Sequence, residues 1–350
     1  MTKKGFGLRL FTASLLSAYL CVLFASDRNV PVKTKAISAV EAQAECVMEL
    51  NSRRILYESK GELRLPMAST TKILTAATVL EHCPDLKREI VIPSQAAGVE
   101  GSSVYLKEGD IYTVEELLYG LMLRSGNDCA TALALHCSGN VANFSAKMNE
   151  TAQKAGALAS NFKNPHGLPC VGHYTTVRDL SLITCYAMQN PIFREIVSTR
   201  YYEPRHWKNK NKMLSLYEGG IGVKTGYTKE AGRCLVSAAE RSGMTLICSV
   251  LNCPTTYERS TELLNDAFSA YTYEKILGAE EALDITDGKT KIRTLGVSRK
   301  DFYYPLLNEE KDMIEIKTKA VVKGKNKEIV GQFEIYLAKQ LLFSGNLYKL

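Results

Sequence analysis

Apolar residues three and four apart mark the helices of this chain, and alternating apolar residues mark its strands. From Thr70 to Glu81, Ile73, Leu74, Ala77 and Leu80 share one helical face with no glycine or proline between them, which predicts a helix. Upstream, Glu45 to Leu50, a turn at Asn51-Ser52, and Arg54 to Tyr57 read as a β-hairpin. Thr113 and Glu116 have capping-box spacing ahead of Leu117, Leu118, Leu121 and Met122, and a largely helical section is expected from there to about residue 195. The period then changes. Ile221 to Tyr227, Arg233 to Ala238 and Met244 to Leu251 predict three successive strands, and Arg259 to Ala270 a closing helix. Past about residue 276, Ile314, Ile316, Thr318 and Ala320 alternate with charged residues, and Phe333, Ile335 and Leu337 repeat the alternation. A separate small β domain is expected there.

The N-terminus departs from this pattern. Lys3, Lys4 and Arg9 precede an apolar run from Leu10 to Ala25, ended by Ser26-Asp27, which is the layout of a secretory signal over residues 1–26. An uncleaved membrane anchor is the other reading, although the run is short for a span. Leu20 stands before Cys21 where lipidation requires a small residue, so no lipoprotein is expected. With 350 residues, 45% apolar and 23% charged, the chain can bury a full core and suits two domains, 27–275 and 276–350. Ten cysteines would suggest disulfides in an exported protein, yet loss of Cys21 leaves an odd number without tight spacing. Most are expected to be free and buried, with Cys46, Cys234 and Cys248 in apolar strand-like runs. The net charge of +7 favours anionic wall polymer or lipid. Nucleic-acid binding is excluded, because no basic and aromatic motif accompanies the charge.

Ser69-Thr-Thr-Lys72 sets a hydroxyl and an amine at i and i+3 on the first turn of the predicted helix, so both project from one side. A serine hydroxyl needs a base to take its proton, and a lysine with a depressed pKa can serve. The spacing alone is weak evidence, since Ser160-x-x-Lys163 repeats it. Asn164-Pro165 directly follows that copy and breaks any helix, so it is read as structural. Ser-Gly-Asn occurs at 125–127, 138–140 and 344–346. Only Ser125 to Asn127 joins a capped helix to another, Cys129 to His136, whereas Ser138 to Asn140 reads as a helix end. Lys224-Thr-Gly226 occurs once, on the first of the three strands, where a cation, a hydroxyl and backbone N–H groups can meet a carboxylate. Gly226 has two readings: it admits close approach of substrate backbone, or it marks a bend. The five histidines show no metal-binding spacing, His166 and His136 are read as structural, and neither a metal nor a cofactor is expected.

Ser-x-x-Lys, Ser-x-Asn and Lys-Thr-Gly in that order resemble the signature of penicillin-binding proteins and serine β-lactamases. The surrounding text, Met67-Ala-Ser-Thr-Thr-Lys72, Leu121-Met-Leu-Arg-Ser-Gly-Asn-Asp128, Asn164-Pro-His-Gly-Leu168 and Gly222-Val-Lys-Thr-Gly226, is similar to the low-molecular-mass serine D-alanyl-D-alanine carboxypeptidases. The similarity spans roughly residues 38 to 275, and the β domain resembles that family's second domain. It implies an α/β (α+β) fold of the β-lactamase/transpeptidase type, an antiparallel sheet with a helical subdomain, followed by a small all-β C-terminal domain. It further implies that Ser69 attacks the carbonyl between two terminal D-alanines of a peptidoglycan stem peptide while Lys72 takes its proton, and that β-lactams acylate the same serine. Ser125 is similar to the serine that relays a proton to the leaving amine. Asn127 is similar to the amide that holds substrate backbone or Lys72, and Lys224 and Thr225 to the carboxylate binders. Backbone N–H groups of Ser69 and Tyr227 would form the oxyanion hole, although many relatives carry histidine where Tyr227 stands. Arg259 resembles a further carboxylate-side arginine, with a structural ion pair as its other reading.

The rival enzyme is a serine β-lactamase. The second motif is Ser-Gly-Asn instead of Ser-Asp-Asn, and no glutamate sits in a recognisable deacylating loop, so carboxypeptidase is favoured. An inactive wall-binding scaffold is the reading from another class, and the intact motif residues oppose it. Relatives often end in an amphipathic helix on the membrane. Here Gly345-Asn346 interrupts Lys339 to Leu350, so that anchor is expected to be short or missing, leaving an exported enzyme that is released, held by its uncleaved N-terminus, or in peripheral contact with the membrane.

Overall fold

In this computed structural model, residues 42–286, 293–321 and 328–350 are described. The expected export signal at 1–26 lies outside them. A five-stranded antiparallel sheet runs in the order Ile55–Ser59, Ala44–Glu49, Met244–Leu251, Gly232–Arg241, Gly220–Thr228. The N-terminal hairpin thus pairs with the last of the three later strands, and the helical section is the excursion between them.

Every residue of Ala44–Glu49 and of Met244–Leu251 is buried, which requires a covered sheet on both faces. Side chains alternate along a strand, so neighbours report opposite layers. Glu45 meets Arg259 on the helix Thr256–Ala270. On the other face Ser249, register partner of Cys46, pairs with Ser181 of the helix Val177–Ala187 at 2.8 Å. The apolar positions that predicted a helix over 70–81 are buried in this core, Ile73 and Leu74 among them. That helix differs at its start: Ala68–Thr71 forms a 3-10 turn, and the α-helix runs Lys72–His82. The closing helix begins at Thr256 instead of Arg259.

The Thr113 capping box forms, with Thr113 Oγ1 accepting from the Glu116 N–H at 3.1 Å and Glu116 Oε2 accepting from the Thr113 N–H at 2.9 Å. Its helix, Val114–Tyr119, ends in a π-turn, Gly120–Arg124. Ser125 then adopts a left-handed conformation (φ 64°) before the helix Asn127–Ser138. Gly139 ends that helix, and Asn140 caps the next by accepting from the Asn143 N–H at 2.8 Å. The second Ser-Gly-Asn copy is thus a helix junction. The third lies inside the strand Gln340–Lys349, where Gly345 makes room for the Phe333 ring.

The C-terminal region is all-β. A second five-stranded sheet takes the order Ala282–Thr286, Arg293–Val297, Gln340–Lys349, Ile329–Leu337, Ile314–Ala320, beside the pair Thr272–Leu277 and Phe302–Leu306. The alternation at Phe333 and Ile335 buries both residues with Leu277, Ile285 and Leu347. Arg54 ties the first hairpin to this region, reaching the Pro305 carbonyl at 2.6 Å and both oxygens of Glu310. Among the described cysteines, Cys46, Cys234 and Cys248 are free and buried as expected. Cys83 and Cys137 form a disulfide that the spacing did not suggest.

Candidate active site

The Ala68–Thr71 turn carries Ser69, and Lys72 opens the helix behind it. Lys72 is fully buried, and its Nζ lies 2.9 Å from Ser69 Oγ, 2.7 Å from Asn127 Oδ1 and 2.7 Å from the His166 carbonyl oxygen. The last two partners can only accept. An ammonium would donate to all three; a neutral amine donates to Asn127 and His166 and keeps its lone pair for the Ser69 hydroxyl proton. Burial first, and then the cation of Lys224, push the Lys72 amine well below the ordinary lysine range. Geometry and electrostatics therefore agree on a base.

Lys224 sits on the edge strand Gly220–Thr228, almost fully buried, with Nζ donating to the Thr225 carbonyl at 2.9 Å. Burial, and then Lys210, lower it to about 7. Lys210 also depresses Lys72, so three lysines bear on one spot. Nothing in the spacing singled out Lys210; it arrives on the segment that closes over Leu123 through a backbone bond of 3.1 Å.

Gly226 gains a reason. A Cβ there would stand 3.0 Å from the Met67 carbonyl oxygen and 3.2 Å from the backbone nitrogens of Ser69 and Thr70. The glycine admits the serine turn against the strand; it does not mark a bend. Tyr227 follows Gly226 on the same strand, and its side chain is 66% exposed. Ser125 is buried at the head of the Asn127 helix, and its hydroxyl is not among the partners of Lys72.

Second-layer contacts hold these groups. Asn127 donates from Nδ2 to the Glu100 carbonyl at 2.5 Å and from its backbone to Ser102 at 2.7 Å. The neighbouring Asp128 carboxylate, fully buried, accepts from Ser103 Oγ and from the N–H groups of Val104 and Leu106, which fixes the segment beside Asn127. Gly167 (φ 88°) lies so close to the Ala68 carbonyl that no side chain fits, which seats the Asn-Pro-His-Gly turn under the serine turn. His166, read as structural, contributes through its carbonyl, while its ring is lowered to about 3, by burial and then by Lys72. His173 Nδ1 accepts from the Lys163 N–H at 3.0 Å, which leaves the Nε2 proton for Thr71 Oγ1 at 2.9 Å.

Two sequence candidates go elsewhere. Ser160 Oγ bonds Asp179 at 2.6 Å and Thr175 at 2.7 Å, away from Lys72, in line with a structural role. Of the two readings of Arg259, the contacts match the ion pair: Nε and Nη2 grip the buried Glu45 carboxylate at 2.9 and 2.6 Å, and Nη1 meets Glu262 at 3.2 Å. Glu45 lies on a strand three places from the Lys224 strand in the sheet order, so the guanidinium is spent across the sheet.

Comparison with known proteins agrees with this arrangement. Residues 31–255 match the family model of peptidase family S11, D-alanyl-D-alanine carboxypeptidase. The D-alanyl-D-alanine carboxypeptidase DacF of Bacillus subtilis is 31% identical over 275 residues, covering 74% of this chain and 71% of that protein. The corresponding enzyme of Streptomyces sp. K15 is 36% identical over 241 residues, 61% of this chain and 82% of that protein. Penicillin binding protein 5 from Haemophilus influenzae superposes with a TM-score of 0.75 at 26% identity, covering 90% of this chain and 98% of that one. With Lys72 in contact with both Ser69 and Asn127 and the Lys-Thr-Gly strand against the serine turn, the chain belongs to the serine D-alanyl-D-alanine carboxypeptidase family, peptidase S11.

Proposed function

We propose that this protein removes the terminal D-alanine from peptidoglycan stem peptides ending in D-alanyl-D-alanine, through an acyl-enzyme on Ser69. The observation that carries the reading is the Lys72 amine, buried, depressed, and 2.9 Å from Ser69 Oγ with both of its N–H groups engaged elsewhere. Lys72 takes the Ser69 proton as Oγ bonds to the carbonyl carbon. Backbone N–H groups of Ser69 and Tyr227 receive the oxyanion, each donor worth about 3 kcal/mol in hydrolases of this kind. Collapse breaks the peptide bond, a proton passes through Ser125 to the amine, and D-alanine leaves. Water then attacks the ester carbonyl and gives a proton by way of Lys72 to Ser69 Oγ as the Oγ–carbon bond breaks, and the shortened peptide leaves as its carboxylate. Lys224 and Thr225 take the substrate carboxylate, and Lys210 adds positive potential at that end. A β-lactam carbonyl enters the same chemistry, which makes penicillin a covalent inhibitor.

Substrate of this kind lies outside the cytoplasm, and the basic and apolar residues 1–26 serve as the export signal of a catalytic domain at 27–275 with the β-rich domain at 276–350 appended. No helix among the described residues is long and apolar enough to cross a membrane. The test is purified protein with a diacyl-D-alanyl-D-alanine peptide and a fluorescent penicillin, beside Ser69→Ala. D-alanine release and labelling should both vanish in the variant; survival of both refutes the nucleophile, and rapid penicillin turnover without D-alanine release favours a β-lactamase.

A further inference from the structure

A groove of about 500 Å³ is lined by Arg64, Pro66, Pro169, Cys170, Tyr174 and Glu230 among others, the first two from the segment that leads into the serine turn. Its walls come from segments that flank the reacting groups. Arg64 lies five residues before Ser69, and Leu65 is held by paired backbone bonds to Thr175, 2.8 and 3.0 Å long. Glu230 lies four residues beyond Gly226, in the turn after the Lys-Thr-Gly strand. Gly226 abuts Ser69 and Thr70, and Glu230 shares the groove with Arg64 and Pro66. Chain segments from both sides of the reacting groups, the one before Ser69 and the one after Gly226, thus run to the groove.

That layout matters once the substrate is placed, and here the inference rests on the reading above. The terminal carboxylate lies at Lys224 and Thr225 and the reacting carbonyl at Ser69 and Tyr227, so the peptide leads upstream along the strand toward Glu230. Glu230 is three residues past Tyr227, at most about 10 Å at the rise of an extended chain. The stem residue before the penultimate D-alanine starts about 3.5 Å back, and a four-carbon side chain covers the remainder.

The groove carries one anion and one cation, and neither is ion-paired among the described residues. Arg64 is held over the Tyr174 ring, 4.9 Å from its centroid, which keeps the guanidinium at the wall without neutralising it. Opposite charges left apart across a groove match a ligand that bears both. We infer that the groove is a specificity subsite for the stem residue preceding D-alanyl-D-alanine, and that it takes a diamino-diacid side chain whose end carries an ammonium for Glu230 and a carboxylate for Arg64.

The test compares two Nα-acetyl-X-D-alanyl-D-alanine peptides, with X either meso-diaminopimelate or Nε-acetyl-lysine, on the full protein and on Glu230→Gln and Arg64→Gln. Both substitutions are at exposed positions. The wild type should show a kcat/KM at least tenfold higher for the diaminopimelate peptide. Each substitution should lower that value about fivefold, the scale of one solvent-accessible ion pair. The acetyl-lysine peptide and the rate of penicillin acylation should be unmoved. Cys170 is an exposed free thiol of the groove, and its alkylation by N-ethylmaleimide should erase the preference, with Cys170→Ser resistant to the reagent. Equal kcat/KM for the two peptides in the wild type, or a ratio unchanged in Glu230→Gln, overturns the subsite while leaving the carboxypeptidase reading intact. No D-alanine release from either peptide, with no penicillin labelling, overturns both.

Discussion

Gly167→Ala is expected to cripple the enzyme from a position that touches no substrate. Gly167 has φ 88°, and an added Cβ would fall on the Ala68 carbonyl oxygen, about 1 Å inside the 3.0 Å limit for such contacts. The carbonyl belongs to the residue before Ser69, so clearing the clash moves the nucleophile's turn by a similar distance. Misplacement on the order of 1 Å costs about 10²-fold in rate. The left-handed backbone adds about 1 kcal/mol of strain for alanine. Gly172→Ala separates the two effects: its φ is 80°, but the nearest atom to an added Cβ is 3.5 Å away. Both variants should lose about 1 kcal/mol in urea unfolding from the backbone term. Only Gly167→Ala should also slow acylation by fluorescent penicillin and D-alanine release, by about 100-fold. If folded Gly167→Ala acylates within about threefold of the wild type, or Gly172→Ala is slowed equally, the claim that this contact positions Ser69 is wrong.

Three further outcomes follow from the same contacts. Arg259→Ala leaves the buried Glu45 carboxylate unpaired and should cost about 3–5 kcal/mol in chemical denaturation. Its kcat/KM, measured on the folded fraction at low temperature, should hold; a selective rise in KM with stability intact would restore a carboxylate-side role. Burial lowers His173 from 6.5 to about 4. The unfolded chain therefore binds the proton first: stability is full above pH 6.5 and is lost as pH falls through 4. His173→Asn should flatten that part of the acid unfolding profile, and an unchanged profile would count against the Thr71–His173–Lys163 arrangement. The Cys83–Cys137 disulfide closes a separation of 54 residues, so its reduction should lower stability by roughly 4 kcal/mol in matched urea titrations with and without reductant. Equal midpoints would show that the bridge does not constrain the unfolded chain.

Local pattern was enough for the features that are local in origin. The apolar face of 70–81, the Thr113–Glu116 box and the alternation at 333–337 each depend on neighbours within a few residues, and each forms where the spacing put it apart from the 3-10 start of the first helix. Ser69 and Lys72 belong to this class, because i and i+3 on one turn meet whatever the rest of the chain does. The same spacing at Ser160 and Lys163 stays inert, as the Asn164-Pro165 break predicts, and the tertiary contacts add what the first copy needs to react. Lys72 finds Asn127, 55 residues on, and the His166 carbonyl, 94 residues on. No spacing rule links positions that far apart. The depressed amine is likewise a property of the packed core: water is excluded from it and Lys224 is brought near by a strand pairing. The partner of Arg259, the reason for Gly226, the bond between Cys83 and Cys137 and the approach of Lys210 have the same origin, since each joins segments that only the closed sheet and its helices bring together. Residue type and short spacing thus mark out the side chains that could do the chemistry, because reactivity resides in them. Folding then supplied the base strength and the distant partners of the copy already singled out, because desolvation and long-range contacts exist only once the chain has folded.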